Sequence, residues 1–302
     1  MQRNVYLNGA MVAESDAKIS IFDSAVMLGD CVTESTRTFL HKPFKLDAHI
    51  QRLYKSLKVA RIDPGLSPDE LTSLTLELLE GNLATLQPHE DFWIVHNISR
   101  GLNVPGPDPT IAQSPATIII HNAPMDLTGW AAYYRQGCHA VTPMSRAVPS
   151  QSMDARVKNR SRMHYTLAEM EVKLVDPDAQ SVLLDIYGNV AENKGGNVFA
   201  VSDGIIKTPV SNNSLAGISR ETILELGASL EIPSRETALQ PYDLYTADEI
   251  FFTSTPYCIM PATRFNGQPV GDGTVGTITK RLLKAWSDLV GMDIQQQAES
   301  QI

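Results

Sequence analysis

The reading of this chain turns on Met153-Asp154-Ala155-Arg156-Val157-Lys158-Asn159-Arg160-Ser161-Arg162-Met163-His164-Tyr165, taken with Glu192-Asn193-Lys194-Gly195-Gly196-Asn197-Val198-Phe199. Lys158 stands among three arginines, and the spacing of Met163, Leu167, Met170 and Leu174 predicts a helix that starts near Lys158 and buries those four side chains. A lysine condenses with an aldehyde only as the free amine, so such a lysine needs burial or a neighbouring cation to destabilise its ammonium. Arg156, Arg160 and Arg162 supply that charge, Arg162 one helical turn along. Taken alone, the same residues read as a solvated basic run, because lysines mostly stay exposed. Further on, Ser181-Val182-Leu183-Leu184-Asp185 reads as a strand leading through Gly188 to Glu192, and Gly195-Gly196 favours close backbone approach to a ligand. Glu192 alone fits an acid facing a buried partner or a turn residue in solvent. His164 and Tyr165 fall on other sides of the expected helix, and a lone histidine there reads as structural.

Working outward toward the N-terminus, Asn8-Gly9 marks a hairpin between Val5-Tyr6-Leu7 and Ala10-Met11-Val12. Gly29-Asp30 interrupts the strands that follow, after which Thr33, Ser35 and Arg37 share one side of a strand with a period of two. That side reads as a pocket lining or as an ordinary polar face. Asp47 starts an amphipathic helix with Ile50, Leu53 and Leu57 as its stripe, and Arg52 lies beside the stripe. Arg52 is then a snorkelling rim residue or a fork of donors for a phosphate. Ser67-Pro68-Asp69-Glu70 is a capping box with proline at the first helical position. Phe92-Trp93-Ile94-Val95 and Ala116-Thr117-Ile118-Ile119-Ile120 read as buried strands flanking the proline-rich residues 104–109.

Periodicity is lost over residues 121–129, which predicts a smaller N-terminal domain (1–122), a linker (123–130) and a larger C-terminal domain (131–302) carrying Lys158. Residues 130–135 and 138–142 read as two strands joined at Gln136-Gly137. Leu215-Ala216-Gly217-Ile218-Ser219-Arg220-Glu221 opens a helix whose first amides can receive a phosphate, as any helix start can. Ile250-Phe251-Phe252-Thr253-Ser254-Thr255-Pro256 is a buried strand that ends in a hydroxyl donor, Thr255. Ile278, Leu282, Leu283, Trp286 and Leu289 make a packing helix, and residues 295–302 are polar and read as frayed.

Composition bounds the function classes. With 302 residues the chain favours two domains, and 43% hydrophobic against 20% charged residues leaves no large segment disordered by composition. A net charge of −9 with a pI near 5.3 argues against nucleic acid or an anionic membrane as the main partner. Cys31, Cys138 and Cys258 are few, odd in number and far apart, which fits a reducing compartment and neither a disulfide framework nor a zinc site. The N-terminus lacks a long apolar core and no stretch reaches membrane-spanning length, so a cytoplasmic protein is expected.

Together these blocks resemble the class IV aminotransferases, the fold-type IV pyridoxal-phosphate enzymes, from about residue 5 to residue 293. The carriers are Phe22-Asp23-Ser24, Leu28-Gly29-Asp30-Cys31-Val32-Thr33-Glu34, His49-Ile50-Gln51-Arg52-Leu53, Val157-Lys158, Glu192 to Asn197, Leu215 to Arg220, and Thr253-Ser254-Thr255 ahead of Ile259-Met260-Pro261, in the family's order. The resemblance implies a two-domain mixed α+β fold of the D-amino-acid aminotransferase type, a homodimer, and pyridoxal 5'-phosphate held by a Schiff base to Lys158. It implies that Glu192 keeps the cofactor's ring nitrogen protonated, that Arg52, Ile218, Ser219 and Thr255 hold the phosphate, and that Leu215 packs on the ring. Thr33, Ser35 and Arg37 would face the substrate, with Tyr257 taking over carboxylate recognition because Pro256 has no amide to offer. The expected activity is transfer of an amino group, most naturally from a branched-chain amino acid, to a 2-keto acid such as 2-oxoglutarate, with no metal. D-amino-acid or (R)-amine transamination, aminodeoxychorismate lyase activity and a non-catalytic binding protein on the same fold are the alternatives. Three departures stand out: Met163 where branched-chain enzymes often have tyrosine, Lys194 where a small residue is common, and no arginine or histidine in residues 101–109, where better-known D-amino-acid aminotransferases carry a carboxylate trap.

Overall fold

Asn8 and Gly9 both have positive φ (49° and 94°), the backbone a tight hairpin turn requires, and they join β1 (Asn4–Leu7) to β2 (Ala10–Ala13) as expected. The computed structural model describes residues 2–103 and 114–302; residues 104–109 of the proline-rich loop lie outside the described residues. The chain divides into two units, Met1–Met125 with Val157–Ser161, and Asp126–Arg156 with Arg162–Ile302.

In the first unit the hairpin is followed by α1 (Ser24–Leu28), β3 (Cys31–Phe39), β4 (Lys42–Pro43), α2 (Leu46–Ala60), α3 (Pro68–Asn82), β5 (Phe92–Ser99) and β6 (Thr117–Pro124). The strands form an antiparallel sheet in the order β2-β1-β6-β5-β3-β4. Val32, Ile94 and Ile98 bury against Ile50, Leu53 and Leu57 of α2 and Leu71 and Leu78 of α3, each fully buried side chain contributing about 1.5–3 kcal/mol. Ser67 and Glu70 form the expected capping box at the start of α3.

The structure corrects the expectation that Lys158 starts a helix carried by the C-terminal domain. Residues Val157–Ser161 are not helical and belong to the first unit: Asn159 bridges Val32, and the Thr33 and Arg160 amides bond the carbonyls of Lys158 and Cys31. This half of β3 has β5 on one edge only, and its other edge takes the passing chain.

The second unit contains α4 (Thr128–Ala131), α5 (Tyr133–Gln136), β7 (Cys138–Val141), α6 (Met163–Lys173), β8 (Gln180–Ser181), β9 (Glu192–Asn193), β10 (Gly196–Ser202), β11 (Ile205–Thr208), α7 (Ile218–Ser229), β12 (Ser234–Glu236), α8 (Pro241–Tyr245), β13 (Glu249–Ser254), β14 (Cys258–Phe265), β15 (Gln268–Pro269), α9 (Thr277–Val290) and α10 (Ile294–Glu299). Its sheet runs β12-β11-β10-β13-β14-β7-β8, with β9 on β10 and β15 on β14. Val198, Ala200, Phe252, Met260 and Ala262 form one side of its core.

Three expectations fail in this unit, each for a packing reason. Residues 130–135 are helical, because Leu127, Ala131 and Tyr134 recur at helical spacing and are all buried. On α6 the buried residues are Tyr165, Ala168, Glu169 and Val172, whereas Met163, Leu167, Met170 and Leu174 are 78%, 50%, 62% and 89% exposed. The larger apolar side chains lost the inward face to a set that includes a small Ala168 against Leu183 and Ala191, and a Glu169 carboxylate that accepts from the amide and hydroxyl of Ser181. Residues after 293 are not frayed: Asp293 caps α10, Ile294 and Ala298 are buried, and the Leu127 amide bonds Gln301.

Candidate active site

The expected site residues fall into two groups, each within one unit. In the first, Gly29 has φ +69°, and a Cβ there would lie 2.6 Å from Ser161 Oγ, which instead donates to the Gly29 carbonyl at 2.9 Å. A side chain here would be strained by the positive φ and would displace Ser161 Oγ. The Lys158 backbone is then held from two directions: the Thr33 amide donates to its carbonyl at 2.9 Å, and its own amide donates to Ser56 Oγ of α2 at 3.2 Å. Its charge acts on His49.

Beside it lies a buried charge cluster. Glu34, fully buried on β3, accepts from Arg52 Nε at 2.8 Å and Nη2 at 2.6 Å, and pairs with His49 Nδ1 at 3.0 Å. Burial pushes the Glu34 carboxyl up, but the charge and hydrogen bonds of Arg52 and His49 outweigh it and hold it well below the usual carboxylate range. Burial lowers His49 despite Glu34. Arg52, expected beside an apolar stripe, is thus oriented by an acid on the neighbouring strand.

No helix stacks the three arginines with Lys158: α6 begins only at Met163, Arg156 pairs with Asp154 in solvent, and Arg162 belongs to the second unit. Thr33 donates its hydroxyl to the His96 carbonyl at 3.0 Å. Arg37 is 1% exposed, bonds the Thr38 carbonyl and lies 4.0 Å over the Phe39 ring. Ser35 remains half-buried on the same strand side as Thr33.

In the second unit Glu192 is buried at the start of β9, where its own strand and β10 fix its backbone. Its Oε2 accepts from the Leu215 amide at 3.0 Å and its Oε1 from the hydroxyl of Tyr165. Burial and the Glu192 charge push the Tyr165 phenol up, so it stays a donor. Asn197 Nδ2 donates to the Leu215 carbonyl at 2.8 Å, and a Cβ at Gly217 would strike Asn197 Oδ1, so the Leu215 loop is held down onto β10. Two residues on from Leu215, Gly217 begins α7; no side chain caps this helix start although Ile218 and Ser219 are buried. A helix start that no side chain caps has amides suited to an anion.

Thr255 sits in the turn between β13 and β14, and Ser254 Oγ holds the Gly195 carbonyl at 2.7 Å. Lys194 is exposed. Tyr257 is 4% exposed within the core, with Trp130 tilted against it at 5.5 Å and its carbonyl bonded by Tyr134. Sequence reading missed Glu34, His49 and Tyr165. For the first two the signals are an acid inside a buried strand and a His-x-x-Arg pair on one helix face; for Tyr165 there is none, because helical periodicity alone puts the other face of α6 inward.

Residues 31–265 match the family described as "Amino-transferase class IV". The chain belongs to the class IV aminotransferases. It is 34% identical to the putative branched-chain-amino-acid aminotransferase of Methanocaldococcus jannaschii over 286 residues, covering 94% of this chain and 96% of that one. It is 31% identical to the branched-chain-amino-acid aminotransferase of Escherichia coli K12, covering 94% and 92%. A crystal structure of the Escherichia coli enzyme superposes with a TM-score of 0.88 at 29% identity over 96% of this chain and 95% of that chain. The T.th. branched-chain amino acid aminotransferase in complex with N-(5'-phosphopyridoxyl)-L-glutamate gives 0.85 at 26%, covering 96% and 95%.

The chain is therefore a pyridoxal-phosphate-dependent transferase on the fold-type IV scaffold. The residues present fit that cofactor. In the second unit a buried acid suits a pyridinium and an uncapped buried helix start suits a phosphate. Among the described residues no group of acids, histidines and cysteines is arranged to hold a metal, and no helix is long and apolar enough to cross a membrane.

Proposed function

We propose that this class IV enzyme is a branched-chain amino acid transaminase that uses 2-oxoglutarate or a similar 2-keto acid as acceptor, with Lys158 as the reactive amine. One observation carries the reading most directly: the loop from Leu215 to Ser219 gives an amide to the Glu192 carboxylate and then becomes an uncapped helix start, so a single short segment presents an acid and an anion site. The relatives support the substrate class, being named for branched-chain amino acids.

When bound, pyridoxal phosphate supplies an aldehyde that takes up the amino group and a ring that accepts the electrons of the broken bond. The chain does the rest. Glu192 keeps the ring nitrogen protonated; Arg52, Ile218, Ser219 and Thr255 bind the phosphate, and Leu215 packs on the ring. Lys158 Nζ removes and returns the proton at the donor's α-carbon, its backbone fixed by Thr33 and Ser56. Thr33 and Ser35 line the substrate side. We place the protein in the cytoplasm, consistent with three buried cysteines that form no disulfide.

The reading includes a homodimer. Met163, Leu167, Met170 and Leu174 form an exposed apolar stripe on α6 that a second copy would cover. Spectra of the half reaction with L-leucine, D-alanine and (R)-1-phenylethylamine test the substrate assignment: L-leucine alone should convert the bound cofactor. Conversion by D-alanine or the (R)-amine would move the protein to the other transaminase groups. Repeated turnover of aminodeoxychorismate to pyruvate with no keto-acid acceptor present would make it a lyase.

A further inference from the structure

Glu192 is offered to the cofactor by an arrangement that none of the motif blocks contains. Tyr165 stands on the buried face of α6, its ring packed among Ala147, Ala168, Leu183 and Ala191, so it has little freedom to turn. Its hydroxyl donates to Glu192 Oε1. On the outer side Arg162 covers the same ring, its guanidinium carbon 3.9 Å from the ring centre, and is itself tied to the Lys194 carbonyl two residues beyond Glu192. The ring is thus fixed by packing on one side and by a cation on the other. A phenol has one proton to give, and here it goes to the carboxylate. The second carboxylate oxygen takes the Leu215 amide. Two donors from different elements set both rotation and tilt of the acid.

We propose that Tyr165 is a positioning residue for the ring-nitrogen contact: its hydroxyl holds the Glu192 carboxylate in one orientation before cofactor arrives, with Arg162 holding Tyr165 in turn. The inference rests on the proposed role of Glu192. A carboxylate free to rotate in a buried site spends part of its time on other donors and meets a ring nitrogen less well; a carboxylate already oriented loses no rotamer freedom on binding.

The test uses holoenzyme stripped of cofactor and titrated with two ligands of the same shape, pyridoxal phosphate and its 1-deaza analogue, in which CH replaces the ring nitrogen. Wild type should bind pyridoxal phosphate the more tightly. Tyr165→Phe, which keeps the packed ring, should weaken pyridoxal phosphate about tenfold, the scale of one hydrogen bond to a charged group, and leave the analogue within about twofold. In a Glu192→Gln background the same substitution should have no further effect on the ratio, because the group it positions is gone. Equal weakening of both ligands would show that Tyr165 only supports the fold. An unchanged ratio, or a loss that persists in the Glu192→Gln background, would also overturn the proposal. If wild type failed to discriminate between the two ligands, the fault would lie with the role given to Glu192 itself.

Discussion

Glu34 and Arg52 are the residue pair on which the first group depends. Each of the two Arg52–Glu34 bonds is short, and Glu34 has no solvent to fall back on. Glu34→Ala leaves a guanidinium without its partner in a buried position, which typically costs about 3–5 kcal/mol. Chemical denaturation should show a loss of that size, and pyridoxal phosphate affinity should fall with it if Arg52 is the phosphate residue. A loss below about 1 kcal/mol would mean the pair is not the anchor it looks like. His96 gives a pH signature. Thr75 uses its hydroxyl proton on the Leu71 carbonyl, so His96 Nε2 must donate to Thr75 and the imidazole is neutral, with Nδ1 buried and unpartnered. Burial pushes this imidazole down to about 4. The unfolded chain therefore takes up a proton first as pH falls from about 6.5, and the folded chain resists until about 4, so stability drops across that window by about 3 kcal/mol. Glu34 acts in the same direction at lower pH, since its contribution is present above the ordinary carboxylate range and disappears as pH falls through its depressed value. Denaturant midpoints measured from pH 7 to pH 4 should fall in wild type and fall less in His96→Leu; parallel curves would exclude His96 as the source.

At the level of elements, α6 is the instructive case. Its apolar residues recur at helical spacing twice over, once through Met163, Leu167, Met170 and Leu174 and once through Tyr165, Ala168 and Val172, and periodicity cannot say which set turns inward. The choice was made by groups remote in sequence, the small pocket beside Leu183 and Ala191 and the Ser181 partner of Glu169. The same remoteness hides the non-helical course of 157–161, whose partners lie on β3 and α2 more than a hundred residues earlier. By contrast the hairpin at Asn8-Gly9, the Ser67 capping box and the start of α7 were legible, because each is fixed by residues within a turn of one another. If the exposed stripe is the contact between copies, Leu167→Asp should leave a folded monomer by light scattering, whereas an unchanged dimer would place the interface elsewhere. Gly29→Ala tests the hold on the lysine segment: it adds a methyl 2.6 Å from Ser161 Oγ at a positive φ. A drop of about 1–3 kcal/mol is expected, with activity reduced beyond what the stability loss explains.

For the whole molecule, family and fold were readable because the motif blocks keep their order along almost the full chain, and the class IV match and the superposition on the Escherichia coli enzyme agree with that. The site was readable in part. Lys158, Arg52, Glu192 and the Leu215 loop are candidates from local chemistry plus resemblance, whereas Glu34 and Tyr165, which contact Arg52 and Glu192, are defined only by where distant elements meet. Arg37 and Tyr257 show the converse difficulty: a polar strand position and a tyrosine after a turn look alike in sequence whether they face a pocket or a core, and both are buried. The central claim is that Lys158 is the amine of a transaminase for branched-chain donors. Its most direct measurement is the absorbance of the purified yellow enzyme mixed with L-leucine, alongside borohydride treatment of wild type and Lys158→Ala. The account predicts that L-leucine discharges the colour and 2-oxoglutarate restores it, and that borohydride fixes cofactor to wild type but not to the variant; fixation in Lys158→Ala, or a colour that L-leucine leaves untouched, would contradict it.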